Sequence, residues 1–144
     1  MTLPYARQVV MIDSTSVTNG ATATGVVDTL GWGGGFCTID VKLGTANTTS
    51  NNPSVFNLLE GDTTSSLATV SGGVGDTDWT IPTCSTSVAN TYKFNVCLKG
   101  RKRYLSLAIS PTTTQIVNAT ANLHNGNELA IDATKANVGA LISV

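Results

Sequence analysis

The chain has 144 residues, a formal net charge of −1, and only 12% charged residues. A chain of this length is typical of one domain, and its near-neutral charge argues against a protein that is attracted as a whole to nucleic acid or to an anionic membrane. Thr, Ser, Asn and Gly take the place of charged residues, and these types favour strands and turns over helix interiors.

Alternation of apolar and polar residues predicts strands along most of the chain. In the segment 36–43, residues Cys37, Ile39, Val41 and Leu43 share one face. The predicted strands, in chain order, cover 6–12, 23–30, 36–43, 55–60, 66–70, 78–81, 92–98, 103–110 and 114–123. Turn-forming segments separate them at 30–36, 44–54, 71–78 and 84–91. The sequence therefore predicts an all-β fold, an antiparallel β-sandwich similar to a jelly roll.

The last segment, 124–144, differs from the body at 1–123 and is predicted to form a tail or arm. Asp132 is a candidate N-cap for a short helix over 134–141, with irregular structure around it. The chain ends on three apolar residues, which normally dock on another surface. We interpret them as candidates for contact with a neighbouring subunit, or as the closing edge of the same sandwich: Leu141, Ile142 and Val144.

Cysteine usage and apolar runs bear on the compartment. The opening segment, MTLPYARQVVMID, lacks the apolar stretch of a signal peptide, and no apolar run reaches the roughly 20 residues of a membrane span. We expect synthesis in the cytoplasm and no membrane partner. Cys37, Cys84 and Cys97 are odd in number and widely spaced. We therefore expect free thiols, with Cys37 in the core.

No catalytic or metal-binding pattern is found in the sequence. His124, the single histidine, is next to an Asn-Gly pair and is expected in a solvated loop, without partners for a triad or a zinc site. The GWGGG segment, 31–35, lacks the Gly-Lys-Ser/Thr of a phosphate loop and is expected at a hairpin tip. Glu60 and Asp62 do not indicate a glycosidase pair. We expect no enzyme activity, no cofactor and no metal.

Half of the positive charge lies in one turn. The chain has eight Lys and Arg residues, and four of them, Lys99, Arg101, Lys102 and Arg103, lie in the segment KGRKR. The alternating runs on both sides predict a hairpin here, with Gly100 at positive φ. The charges either keep an edge soluble, or bind an acidic protein surface, or bind nucleic acid. Nucleic acid is the least favoured partner because no basic stripe or aromatic cluster accompanies the turn.

Three segments carry a family resemblance: 14–50, STSVTNGATATGVVDTLGWGGGFCTIDVKLGTANTTS; 55–70, VFNLLEGDTTSSLATV; and 92–110, YKFNVCLKGRKRYLSLAIS. Together with the hairpin sequence from Gly100 to Leu105 and the Ala-rich tail at 133–141, they resemble small virion proteins of tailed bacteriophages. The resemblance covers about residues 9–144. The long glycine segment at 33–35 departs from the family pattern.

The resemblance implies a capsid decoration, or cement, protein. Such a protein is an all-β module, often a homotrimer, that binds the outside of the head and bridges neighbouring major capsid subunits. The expected partners are the major capsid protein and other copies of this chain, and the expected location is the virion surface. On this hypothesis the basic turn binds an acidic capsid patch, while the apolar C-terminus or a free N-terminal edge strand makes a further tie.

Two other functions compete with this one. A tail or fibre accessory module would bind host carbohydrate through exposed Trp32 and Trp79, as jelly rolls commonly do. The alternative for these residues, which we favour, is that Trp79 packs in the core and Trp32 only covers a loop. An enzyme would use Glu60 and Asp62, and alanine at both positions would abolish its activity.

Overall fold

The computed structural model describes residues 6–44, 52–82, 90–125 and 138–144. Cys84 and residues 126–137, which include the first half of the helix predicted over 134–141, lie outside these ranges. The described residues form nine strands. They are β1 (Ala6–Val17), β2 (Ala23–Asp28), β3 (Phe36–Leu43), β4 (Val55–Thr63), β5 (Ser66–Val74), β6 (Asn90–Cys97), β7 (Tyr104–Ser110), β8 (Gln115–His124) and β9 (Ala140–Ser143).

The strands form two sheets that pack face to face. The five-stranded sheet has the order β1-β8-β3-β6-β9, and the four-stranded sheet has the order β2-β7-β4-β5. All strand pairs are antiparallel except β6 with β9. The first eight strands thus follow the order of a jelly roll, in which the chain crosses repeatedly from one sheet to the other. The predicted all-β sandwich is confirmed.

The predicted faces of the strands are also confirmed. Cys37, Ile39, Val41 and Leu43 of β3 are all buried, as are the alternate apolar residues of β6 and β7. Antiparallel strands with one packed face produce this period of two, because successive side chains point to opposite sides of the sheet.

An aromatic cluster connects the two sheets. The Phe56 ring, on β4, makes edge contacts with Tyr92 and Phe94 on β6, at centroid distances of 4.9 and 5.7 Å. Trp79 packs against the same ring at 5.2 Å. Edge-to-face contacts of this kind add to the stabilisation from apolar burial.

Three elements differ from the sequence prediction. Residues 71–74, predicted to belong to a loop, continue β5 to Val74. The segment 78–81 is not a strand, because only an isolated bridge links Gly75 to Trp79. Residues 140–143, predicted to be helical in part, form β9, which pairs with β6 and buries Ile142. A four-residue segment is too short to show a period, and its backbone hydrogen bonds with β6 decide its conformation.

The edges of the two sheets approach closely at Gly25. A Cβ atom built on Gly25 of β2 would lie 2.5 Å from the backbone oxygen of Met11 on β1. Only a residue without a side chain permits this approach. Gly25 therefore lets β1 close the side of the sandwich over β2.

Candidate functional site

The basic segment 99–103 connects the two sheets and is not a hairpin turn. β6 belongs to the five-stranded sheet and β7 to the four-stranded sheet, so the chain crosses between layers where the sequence predicts strand pairing. Gly100 has the predicted positive φ, at 79°. The prediction of a hairpin was wrong because the alternating pattern identifies strands but not their partners.

Carboxylates of the same chain pair with three of the four cations. Arg103 donates two hydrogen bonds to Asp28, from Nε to Oδ1 at 3.0 Å and from Nη2 to Oδ2 at 2.7 Å. Arg101 Nη1 lies 3.6 Å from Glu60 Oε1. Lys102 Nζ lies 4.0 Å from Asp62 Oδ2. The crossover is therefore fixed to the ends of β2 and β4 by ion pairs.

The ion pair between Arg103 and Asp28 changes the pKa of both side chains. The hydrogen bonds from Arg103, aided by one from the Leu30 backbone N–H, lower the pKa of Asp28 from 3.8 to about 2. The same carboxylate raises the pKa of Arg103. The Arg103 guanidinium also lies 4.9 Å from the centre of the Tyr104 ring. A two-pronged hydrogen bond and stacking on an aromatic ring together orient this side chain.

We define the basic end as Arg7 with the segments 28–35, 60–66 and 98–104. Five cations of this end, Arg7, Lys99, Arg101, Lys102 and Arg103, face three carboxylates, Asp28, Glu60 and Asp62. Lys99 is exposed and has no ion pair among the described residues. Since the whole chain has a net charge of −1, this end is positive against the rest of the molecule.

The glycine-rich segment lies beside the basic crossover. Thr29 donates two hydrogen bonds to the Arg103 carbonyl, from its backbone N–H at 2.9 Å and from Oγ1 at 2.7 Å. The Leu98 N–H donates to the Gly35 carbonyl at 3.0 Å. Because β2 and β3 lie in different sheets, the predicted hairpin tip at 31–35 is a second crossover. Leu30, 66% exposed, adds an apolar side chain to this end.

The three C-terminal candidates lie on β9 or directly after it, beside β6. Ile142 is buried in the core, Leu141 is half-buried on β9, and Val144 packs against the core. The last residue is linked to β6, since its carbonyl accepts a hydrogen bond from the Cys97 N–H at 2.9 Å. Contact of these residues with a neighbouring subunit stays a prediction.

His124 and the two tryptophans are not free in loops. His124 ends β8, its ring stacks on Phe36, and its Nε2 is hydrogen-bonded to Thr38 Oγ1 at 3.1 Å. The predicted solvated loop is therefore wrong for this residue, because β8 extends to His124, one residue beyond the end of the predicted strand. Trp32 and Trp79 are half-buried against the core. Neither ring forms an open stacking platform for a sugar.

The described residues include two cysteines, which differ in burial. Burial raises the pKa of the Cys37 thiol to about 12, while Cys97 is free and exposed. In the described ranges, no group of three or more His, Cys, Asp or Glu side chains is placed to hold a metal ion. Within the same ranges the structure includes no helix with the length and apolar character to span a membrane.

The acids that pair with the basic turn were not found by sequence reasoning. Asp28 and Glu60 lie 75 and 42 residues away from the groups that they bind, and only the sheet order places β2 and β4 on either side of β7. Comparison with known proteins adds no identification: no family model, curated protein or solved structure matches the chain.

Proposed function

We propose that this chain is a structural virion protein that binds the outer surface of a phage capsid and stabilises it by bridging neighbouring major capsid subunits. The observation that supports the proposal most is the basic end, where five cations face three carboxylates of the same chain, and ion pairs hold Arg101, Lys102 and Arg103 in place before any partner binds. Oriented charges lose little conformational entropy when they meet an acidic surface. The sequence resemblance gives the class of that partner.

The fold is compatible with this proposal, since jelly rolls occur in many capsid proteins, although they also occur in lectins. Both tryptophans that a carbohydrate-binding module would need are packed against the core. The accessory-module alternative therefore has less support than binding to the capsid.

The ion pairs change which residues are the best candidates for capsid contact. Arg101 and Arg103 already bind Glu60 and Asp28, so reversing their charge would place like charges together and disturb the crossover itself. Lys99 is exposed and unpaired among the described side chains. A charge reversal at Lys99 therefore tests docking without removing an ion pair of the fold.

The experiment uses empty heads assembled from the major capsid protein of the same genome. Co-sedimentation of the wild-type chain with these heads is expected, with weaker binding by severalfold for Lys99→Glu and at higher salt. Lys42→Glu is the matched control, because Lys42 is exposed at the other end of β3. A wild-type chain that does not bind the heads contradicts the proposal, and equal losses for both variants contradict the role of the basic end.

A further inference from the structure

Leu30 is the most exposed large apolar side chain among the described residues. It is 66% exposed, against 59% for Val10 and 55% for Ile116. Val10 and Ile116 lie on β1 and β8 of the five-stranded sheet, whereas Leu30 follows β2 and belongs to the basic end. A single exposed leucine needs no explanation by itself, so the groups around it decide what it can do.

Leu30 lies at the corner of a tight turn that protrudes from the basic end. The Trp32 N–H donates a hydrogen bond to the Thr29 carbonyl at 3.0 Å, which closes a four-residue turn with Leu30 at its second position. Gly31, at the third position, has a φ of 90°, as a type II turn requires. A Cβ atom built on Gly31 would meet no atom within 4 Å. The turn therefore presents Leu30 to solvent in a defined conformation.

One carboxylate ties this turn to the cations of the basic end. Asp28 Oδ1 accepts hydrogen bonds from the Leu30 N–H and from Arg103 Nε, both at 3.0 Å. The charge of Arg7 acts on the same carboxylate. Leu30 is therefore held beside the Arg103 guanidinium before any partner binds.

This arrangement places an apolar side chain among fixed cations. At protein interfaces, apolar side chains fill recesses of the partner, while charged groups pair at the rim. A turn and a guanidinium that are already fixed lose little conformational entropy on binding. Since five cations face three carboxylates at the basic end, the complementary surface carries carboxylates around an apolar recess.

We propose that Leu30 is the apolar anchor of the basic end, and that it enters a recess of the major capsid protein rimmed by carboxylates. The inference rests on the proposed capsid binding, to which it adds a contact residue and the chemistry of the partner surface. Salt screens the attraction between exposed charges, whereas sodium chloride does not screen the burial of an apolar side chain. The two kinds of contact are therefore separable on the same heads.

The first test compares co-sedimentation of Leu30→Ser and Lys99→Glu with capsid heads at low and high sodium chloride. We expect about tenfold or weaker binding for Leu30→Ser, because burial of a leucine side chain contributes at least this factor. Its loss relative to wild type should be similar at both salt concentrations, while the loss for Lys99→Glu should shrink at high salt. Leu30→Met keeps an apolar side chain and should bind nearly as well as wild type. Ile116→Ser is the matched control, since Ile116 is exposed on another face.

Failure of the anchor and failure of capsid binding give different results. A wild-type chain that does not bind the heads contradicts capsid binding itself. Wild-type binding that Lys99→Glu weakens and Leu30→Ser leaves unchanged overturns the anchor alone, as do equal losses for Leu30→Ser and Ile116→Ser. The melting temperature of Leu30→Ser should equal that of wild type, because the side chain is exposed.

The second test identifies the partner surface by photo-cross-linking and does not depend on a loss of binding. Leu30 is replaced by p-benzoylphenylalanine, and the same replacement at Ile116 is the control. On heads, we expect position 30 to be joined to a capsid peptide in which Asp or Glu lies next to apolar residues. Cross-linking of position 30 to another copy of this chain, or to a capsid peptide without acidic residues, overturns the proposal.

Discussion

Arg103 and Asp28 form a two-pronged ion pair, with hydrogen bonds of 3.0 and 2.7 Å, that ties the basic crossover to the end of β2. The two residues are 75 positions apart in the chain. Their contact exists because β2 and β7 are neighbours in the four-stranded sheet, where Asp28 pairs with Tyr104.

This pair makes stability depend on pH in a defined range. The pKa of Asp28 is lower in the folded chain, about 2 against 3.8, so its contribution is complete above pH ~4 and is lost as the pH falls to about 2. We expect Asp28→Asn to lower the melting temperature at neutral pH, and the difference from wild type to shrink as the pH falls through about 2. A difference that stays constant over this range contradicts the assignment. Arg103→Lys keeps the charge but loses the two-pronged geometry, and should show an intermediate loss.

A methyl group at Gly25 should destabilise the sandwich. Its Cβ would lie 2.5 Å from the Met11 oxygen and 2.7 Å from the Ile12 side chain, so β1 and β2 would have to separate. We expect Gly25→Ala to lower the free energy of unfolding by about 1–3 kcal/mol, measured by denaturant titration. Gly33→Ala is the control, since no atom lies within 4 Å of its Cβ position. Equal effects for the two variants would show that the close approach of β1 and β2 is unimportant.

The two thiols of the described residues should differ sharply in reactivity. The thiolate is the reactive form, and burial raises the pKa of Cys37 to about 12, whereas Cys97 is exposed. In a Cys84→Ser background, iodoacetamide should modify Cys97 rapidly and Cys37 only after denaturation. Peptide mass mapping with and without guanidinium chloride measures this. Rapid modification of Cys37 in the native chain would show that the core opens locally.

The C-terminal strand should contribute to the stability of its own chain. Ile142 is 5% exposed and pairs with Phe94 of β6, so Ile142→Ala should cost about 2–3 kcal/mol in the free energy of unfolding. Ser143→Ala is the neighbouring control, because Ser143 is exposed. If Ile142→Ala instead lowered the native mass and left the stability of the monomer unchanged, the predicted subunit contact would be supported.

Strand positions and faces were readable from the chain because burial on one side imposes a period of two on the residues themselves. β3 and the apolar faces of β6 and β7 illustrate this. Gly100 has the positive φ that was predicted for a turn at this position, although the segment connects two sheets and is not a hairpin. The alternating residues, the scarcity of charge and the turn-forming loops together determined an all-β sandwich.

Which strands pair was decided only by the tertiary structure. The segments around KGRKR look like a hairpin, yet β6 and β7 lie in different sheets, since alternation does not encode the partner of a strand. The ion pairs of the basic turn, the strand formed by 140–143 and the position of His124 all follow from that sheet order. Each depends on groups far apart in the chain, and these contacts form only when the strands that carry them become neighbours in a sheet.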